Sequence, residues 1–381
     1  MILSRSRIIL FAIIVSACGD DLPPDATLHP VKEYMPFAST AIANHESEID
    51  DSLSNAIRTL LQYDYQVSIG AIDYDEYTKY IGTIDDIELS DNRLVYLLDA
   101  ANSNVKVYDD QGVLLSVIGT SGEGPGEFRA PKGIHIDVDG RILLIDGGKH
   151  SQILVPSPEA KGQYESSVIE AFVTDAVFAN DHSIVALAGF QTDSLLVKIM
   201  PHEEIESAKY YGHKYKSSNR VVNWNMSEGV IVPHSDGGFF IVFRKMPLVV
   251  RYDKEFQVAW STLLPNYSAL KTYGFVNRDG NDVSRVDKKG VTDMLQDAVM
   301  LPGDVLLVQI ARVEADYSMS ILPTEFELRN YVIDDDGHVR QIESNLVVDD
   351  KGRPLSIMDW ADDSYVVGIS YPAPKAFLRH R

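Results

Sequence analysis

Between Val117 and Asp146 the hydrophobic pattern changes twice within one short stretch, VIGTSGEGPGEFRAPKGIHIDVDGRILLID. Gly119, Gly122, Gly124, Pro125 and Gly126 crowd together there. No helix or central strand accommodates them, because glycine loses the most backbone freedom on ordering and proline lacks an N–H. After Pro131, Ile134, Ile136 and Val138 alternate with His135, Asp137 and Asp139, the two-residue period of a half-buried strand. Asp139-Gly140 predicts a tight hairpin with Arg141 to Ile145 as its return strand, and Asp146-Gly147-Gly148 turns again.

The same unit recurs along the chain: an apolar strand, a turn of Asp, Asn, Pro or Gly, and a longer apolar strand. The turns are Asp91-Asn92, Asp139-Gly140, Asn180-Asp181, Asp236-Gly237-Gly238, Pro302-Gly303 and Asp362-Asp363, at intervals of about 41 to 66 residues. An outer pair follows in several units. Val105–Tyr108 and Val113–Ile118 flank Asp109-Asp110-Gln111-Gly112, and similar pairs flank Asp253-Lys254-Glu255 and Asp334-Asp335-Asp336-Gly337. The longer intervals require insertions, and Val221 to Asn225 and Lys271 to Lys289 are the candidates, the second expected as a polar surface loop. Near the N-terminus, Ile49, Leu53, Ile57, Leu60 and Leu61 have helical spacing. Tyr63 to Tyr80 reads as strand.

The stretch from Gly119 to Asp146 resembles the NHL-type repeat, whose signature is a G-x-G-P-G-E-F loop followed by P-x-G-I-x-ϕ-D-x-D-G-x-ϕ-ϕ-ϕ-x-D. The match covers about one repeat. The resemblance implies an all-β fold, a six-bladed β-propeller of four-stranded antiparallel blades, over residues 41–381. An N-terminal strand, Tyr65 to Ile69 or Tyr77 to Ile81, is expected to complete the last blade and remove its open edge. Ahead of it, Arg5 and Arg7, the apolar run Ile8 to Val15 and the sequence Val15-Ser16-Ala17-Cys18 resemble a bacterial lipoprotein signal. That resemblance implies removal of residues 1–17, lipidation of Cys18, the single cysteine of the chain, and attachment to a cell-envelope membrane. Residues 18–40, with Pro23, Pro24, Pro30 and Pro36, then form a tether.

Charge narrows the function. The net charge of −22 excludes a nucleic-acid partner, which needs a basic face. Aligning the first position of each inner strand gives Asp85, Lys132, Asp175, Glu228, Asp297 and Asp359. Carboxylates converging at one channel mouth repel unless a cation, a proton or Lys132 neutralises them. Oxygen donors of this kind suit Ca²⁺. The alternative is that each acid caps a strand start or faces a water-filled funnel. His135, His182, His213 and His234 are scattered singly, without the paired spacing of a zinc site. Asn223 and Asn225 around Trp224 are expected in a loop at the mouth, and Tyr210, Tyr211 and Tyr215 form an aromatic cluster suited to binding or to packing between blades. No nucleophile elbow, phosphate loop or dinucleotide fingerprint is present. The leading expectation is a membrane-anchored, non-catalytic binding module for a protein, peptide or glycan. The alternative is a lactonase-like, metal-dependent hydrolase or lyase acting in the channel.

Overall fold

A computed structural model describes residues 26–28, 40–42, 44, 49–70, 80–147, 151–156, 164–169, 172–189, 192–200, 207–286, 289–316, 326–361, 364–369 and 374–380. Cys18, most of the tether and the Asp362-Asp363 turn lie outside them. Six four-stranded antiparallel sheets account for most of the rest. From the channel outward, blade one is Asp86–Leu89, Val95–Asp99, Asn104–Tyr108 and Leu114–Ile118. Blade two is Pro131–Ile136, Ile142–Asp146, Ser151–Pro156 and Tyr164–Ile169. Blade three is Val173–Phe178, Ile184–Ala188, Leu196–Ile199 and Lys209–Tyr211. Blade four is Gly229–Pro233, Phe239–Phe243, Leu248–Tyr252 and Val258–Leu263. Blade five is Lys289–Leu301, Val305–Asp316, Glu327–Ile333 and Val339–Ile342. Blade six is Ser356–Ala361, Ser364–Ile369, Lys375–His380 and, outermost, Tyr65–Ile69.

Each innermost strand packs against that of the next blade, and Ser356–Ala361 returns to Asp86–Leu89. The chain is therefore a six-bladed β-propeller, closed by an N-terminal strand paired to the last strand from Tyr65↔His380 to Ile69↔Ala376. The core is divided accordingly. One buried apolar cluster fills each of the six blade interfaces, for example Tyr96, Leu98, Ile134, Ile142 and Leu144 between blades one and two. A buried aliphatic or aromatic side chain contributes about 1.5–3 kcal/mol, so no blade is stable without its neighbours.

Antiparallel blades place connections of one kind on one side. The start mouth carries the crossings between blades, and the turn mouth carries the hairpins between first and second and between third and fourth strands. Two insertions sit at the start mouth. Lys271 to Lys289 is a β-hairpin, Thr272–Val276 with Asp282–Val286, rather than a loop. Its turn is Asn277-Arg278-Asp279-Gly280, in which Asn277 Oδ1 accepts the N–H groups of Asp279 and Asn281. Val221 to Asn225 lies in a short helix, Arg220–Met226, capped by Asn219.

The N-terminal segment straps the outside. Thr27–Leu28 pairs with the inserted hairpin at Gly274 and Tyr273. Ile42 bridges Thr262 of blade four, and Asn44 accepts the Val339 N–H of blade five at 3.0 Å. The helix Asp51–Leu60, with Asp50 accepting the Leu53 N–H, buries Ile57 between blades five and six.

Gly119 ends blade one at φ +87°, and a methyl group there would overlap the Phe128 ring, which is fully buried between blades one and two. Gly119→Ala is expected to destabilise the ring by about 1–3 kcal/mol, through overpacking and backbone strain together. Urea unfolding of the soluble chain measures it, and an unchanged midpoint would contradict this packing.

Candidate ligand site in the central channel

An innermost strand has one ladder, with the second strand of its own blade. Its other edge must find acceptors across the channel wall. The preceding blade supplies them. Ile134 N–H donates to Asp86 Oδ2 at 2.9 Å, Ile231 N–H to Asp175 Oδ2 at 2.7 Å, and Leu89 N–H to Asp359 Oδ2. Between blades five and six the same place is taken by Gln309, which accepts the Ile357 N–H at 3.0 Å and donates to Ile357 O at 2.6 Å. These side chains staple neighbouring blades together.

The structure thus redistributes the residues aligned from sequence. Asp175 and Asp359 are staples. Asp85 is not on the channel: it is buried within blade one, where one carboxylate oxygen accepts from Thr83 Oγ1 and the Ala100 N–H. Its neighbour Asp86 takes the channel position, because a one-residue shift reverses the face of a strand. Asp297 is buried, with one oxygen on the Ala298 N–H at 2.9 Å. Lys132 lies across Gly147. Glu228 pairs with Lys245 at 2.8 Å. The six do not form one ring of carboxylates at the mouth. Bulges just before Asp175, Asp297 and Asp359, and another at Lys132 in blade two, leave the aligned positions out of register with one another, which strand alternation does not reveal.

What the channel does bring together is Glu88, His135 and Asp359. His135 Nδ1 is 3.7 Å from Glu88 Oε2, and its ring lies against Phe178. Burial pushes the His135 imidazole down, opposed by the charges of Asp359, Asp175, Asp86 and Asp137. Burial raises Asp359 well above the usual carboxylate range, and the Glu88 charge adds to it. Burial thus disfavours the charged form of both Asp359 and His135. Glu88 was missed in the sequence, although it stands two residues beyond Asp86 on the same face of its strand. At the start mouth burial would raise Glu228, but Lys245, Arg244 and Lys132 outweigh it and hold its carboxyl below the usual range.

A hard cation needs several ionised, available carboxylates. Asp359 has both oxygens accepting N–H groups, and Asp86 is likewise engaged by Ile87 and Ile134. These residues do not fit a calcium site.

The turn mouth is acidic for a different reason. Asp109, Asp137, Asp253 and Asp334 each use Oδ1 to accept two N–H groups of their own turn, the side-chain mimic of a backbone turn. Asp91, Asp139, Asp181, Asp236, Asp304 and Asp335 share that side. His234 is buried there, with Nδ1 2.9 Å from Asp236 and Nε2 3.1 Å from Asp335. Asp137, Asp139 and His182 come close enough to hold a metal ion. The Arg141 guanidinium occupies that cluster, pairing with Asp137 and donating to His182 Nδ1 at 2.9 Å. His213 is exposed. Asn223 and Asn225 are helical and bond Ser217 and Ser284, fixing the helix with Trp224 in place. The three tyrosines separate: Tyr215 is buried, Tyr211 stacks on Phe256 at 4.2 Å, and Tyr210 is exposed.

Comparison with known proteins agrees on the fold. The family model DUF5128, a 6-bladed beta-propeller, matches residues 76–155. A putative exported protein from Bacteroides fragilis superposes with a TM-score of 0.53 at 13% identity, over 83% of this chain and 95% of that one. A member of the duf4221 family from Bacteroides vulgatus does so at 0.51 and 9% identity, over 84% and 96%. A virginiamycin B lyase from Staphylococcus aureus reaches 0.48 at 8% identity, over 83% and 99%. No curated protein matches the sequence significantly.

Burial pushes Asp85 up to about 7 from an ordinary 3.8, the Thr83 and Ala100 hydrogen bonds opposing and the Asp99 and Asp86 charges adding. The native state thus keeps a proton that the unfolded chain loses near pH 4. Stability from this group falls as pH rises from about 4 to about 7. Asp85→Asn is expected to flatten that part of the decline, read from melting temperatures across the range. Asp86→Asn turns an amide donor toward a buried N–H and is expected to cost about 1–3 kcal/mol. A neutral effect in urea unfolding would deny Asp86 its stapling role.

Proposed function

We propose that the protein is a bacterial envelope lipoprotein, anchored through acylated Cys18, whose NHL-like propeller binds a protein, peptide or glycan without transforming it. The observation that carries the reading is how the channel carboxylates are used. Asp86, Asp175 and Asp359 accept backbone N–H groups between blades, which leaves their chemistry to the fold. Glu88 stands beside His135 behind an acidic turn mouth. That arrangement suits a ligand presenting amino or guanidinium groups, attracted over a distance set by salt. The metal-dependent hydrolase or lyase reading draws on the same channel, but needs carboxylates that a cation can reach.

Two measurements test this. A lysine-rich peptide is expected to bind the soluble chain from Asp25, more weakly in high salt, and Glu88→Gln is expected to lower that affinity about five-fold or more, a loss of about 1 kcal/mol. Affinity indifferent to Glu88 would remove the channel from the ligand site. Melting in EDTA and then in Ca²⁺ is expected to give the same midpoint. A calcium-dependent rise that Asp359→Asn abolishes would instead favour the enzyme reading, since a ligand of the native state raises the midpoint.

A further inference from the structure

The two mouths differ in charge, and the N-terminal segment first meets the ring at one of them. The chain reaches the structure at Thr27–Leu28, the edge strand of the inserted hairpin at the start mouth. About nine residues separate it from Cys18, so an acyl anchor there holds this edge within about 30 Å of the bilayer. The hairpin is not a loose appendage. Asn219 Nδ2 donates to Phe275 O and Val283 O, both at 3.1 Å, and the Arg220 N–H donates to Asp282 at 2.8 Å. Its position therefore fixes the orientation of the whole ring.

Leu28 on its edge and Val276 beside its turn are 46% and 53% exposed. In a chain of net charge −22, the hairpin from Lys271 to Val286 carries three cations against two carboxylates. The rim behind it adds Lys132 and Lys245, the latter paired with Glu228. Most of the acidic turns lie on the opposite mouth; the turn from Asp349 to Gly352, in the crossing from blade five to blade six, is on this one.

From this we infer that the start mouth is a membrane-docking face: the hairpin Thr272–Val286 lies against an anionic lipid surface, with Val276 and Leu28 at the headgroups and Arg278 and Lys271 on lipid phosphates. The turn mouth then faces away from the membrane, open to ligand. Each cation near an anionic surface adds to the attraction, and the small apolar contacts add to an anchor that the acyl chains already supply. This inference rests on the lipidation of Cys18.

The test uses full-length lipoprotein in vesicles of phosphatidylglycerol and phosphatidylcholine. Because the single cysteine of the chain is acylated, Val276→Cys and Val138→Cys each offer one thiol for an environment-sensitive fluorophore. Val138 is 82% exposed at the turn mouth and serves as the distal site. Spin-labelled lipids are expected to quench the probe at position 276 at least twofold more than at 138, and the difference is expected to shrink in Arg278→Glu. Equal quenching, or stronger quenching at 138, would overturn the docking face. Mass spectrometry of the N-terminal peptide separates the two failures. A peptide without a lipid on Cys18 overturns the anchor and the inference with it; a lipidated peptide with neither probe quenched overturns the inference alone.

Discussion

The edge of the innermost strand is the constraint on which this ring depends. A four-stranded blade satisfies its inner strand on one side only, and a circular array of such blades leaves six edges around the channel. The chain solves the problem with side chains from the preceding blade. Asp86, Asp175 and Asp359 reach across to the N–H groups of Ile134, Ile231 and Leu89, and Gln309 brackets Ile357 from both sides. An ionised carboxylate is the stronger acceptor, but burial raises one such as Asp359 above the usual carboxylate range, so the stapling and the electrostatics of the channel are set by the same groups.

The acidity of the chain has a second structural source. Each Asp-x-x-Gly turn uses its aspartate to stand in for backbone hydrogen bonding, and several of these turns fall on the same side of the ring because antiparallel blades return there. A residue chosen for turn geometry thereby gives one mouth a negative field. The other mouth is less acidic because the inserted hairpin and the rim lysines interrupt the pattern. A polar molecule results from local folding requirements, without any cluster selected for charge alone.

Much of the architecture was legible in the sequence. The two-residue period, the Asp-Gly turns and the loop before Phe128 identify the blade, and its recurrence gives the ring. Of the two candidates for the closing strand, Tyr65–Ile69 and Tyr77 to Ile81, the structure pairs the first with the last strand of blade six. The channel was less legible. Asp85 and Asp86 are adjacent and both acidic, and both stand against Leu98, so only the ladder that begins at Asp86 decides which one faces inward. Bulges before Asp175, Asp297 and Asp359 are insertions of one residue that hydrophobic alternation absorbs silently. Glu88 and His135 come from different blades, and no spacing along the chain announces their meeting. The hairpin Thr272–Val286 was hidden by its polar composition, since both its faces are partly wet.

The closing blade ties the two ends of the chain into one sheet. Lys375–His380 lies between Ser364–Ile369, its neighbour in sequence, and Tyr65–Ile69, which is made some three hundred residues earlier. During synthesis Tyr65–Ile69 has no ladder partner until Lys375–His380 has emerged, and the apolar strands of five blades wait meanwhile on an open arc. Contacts of such long sequence separation form slowly. The cost is that loss of Lys375–His380 would leave Tyr65–Ile69 unpaired and the strand edges beside it open to aggregation.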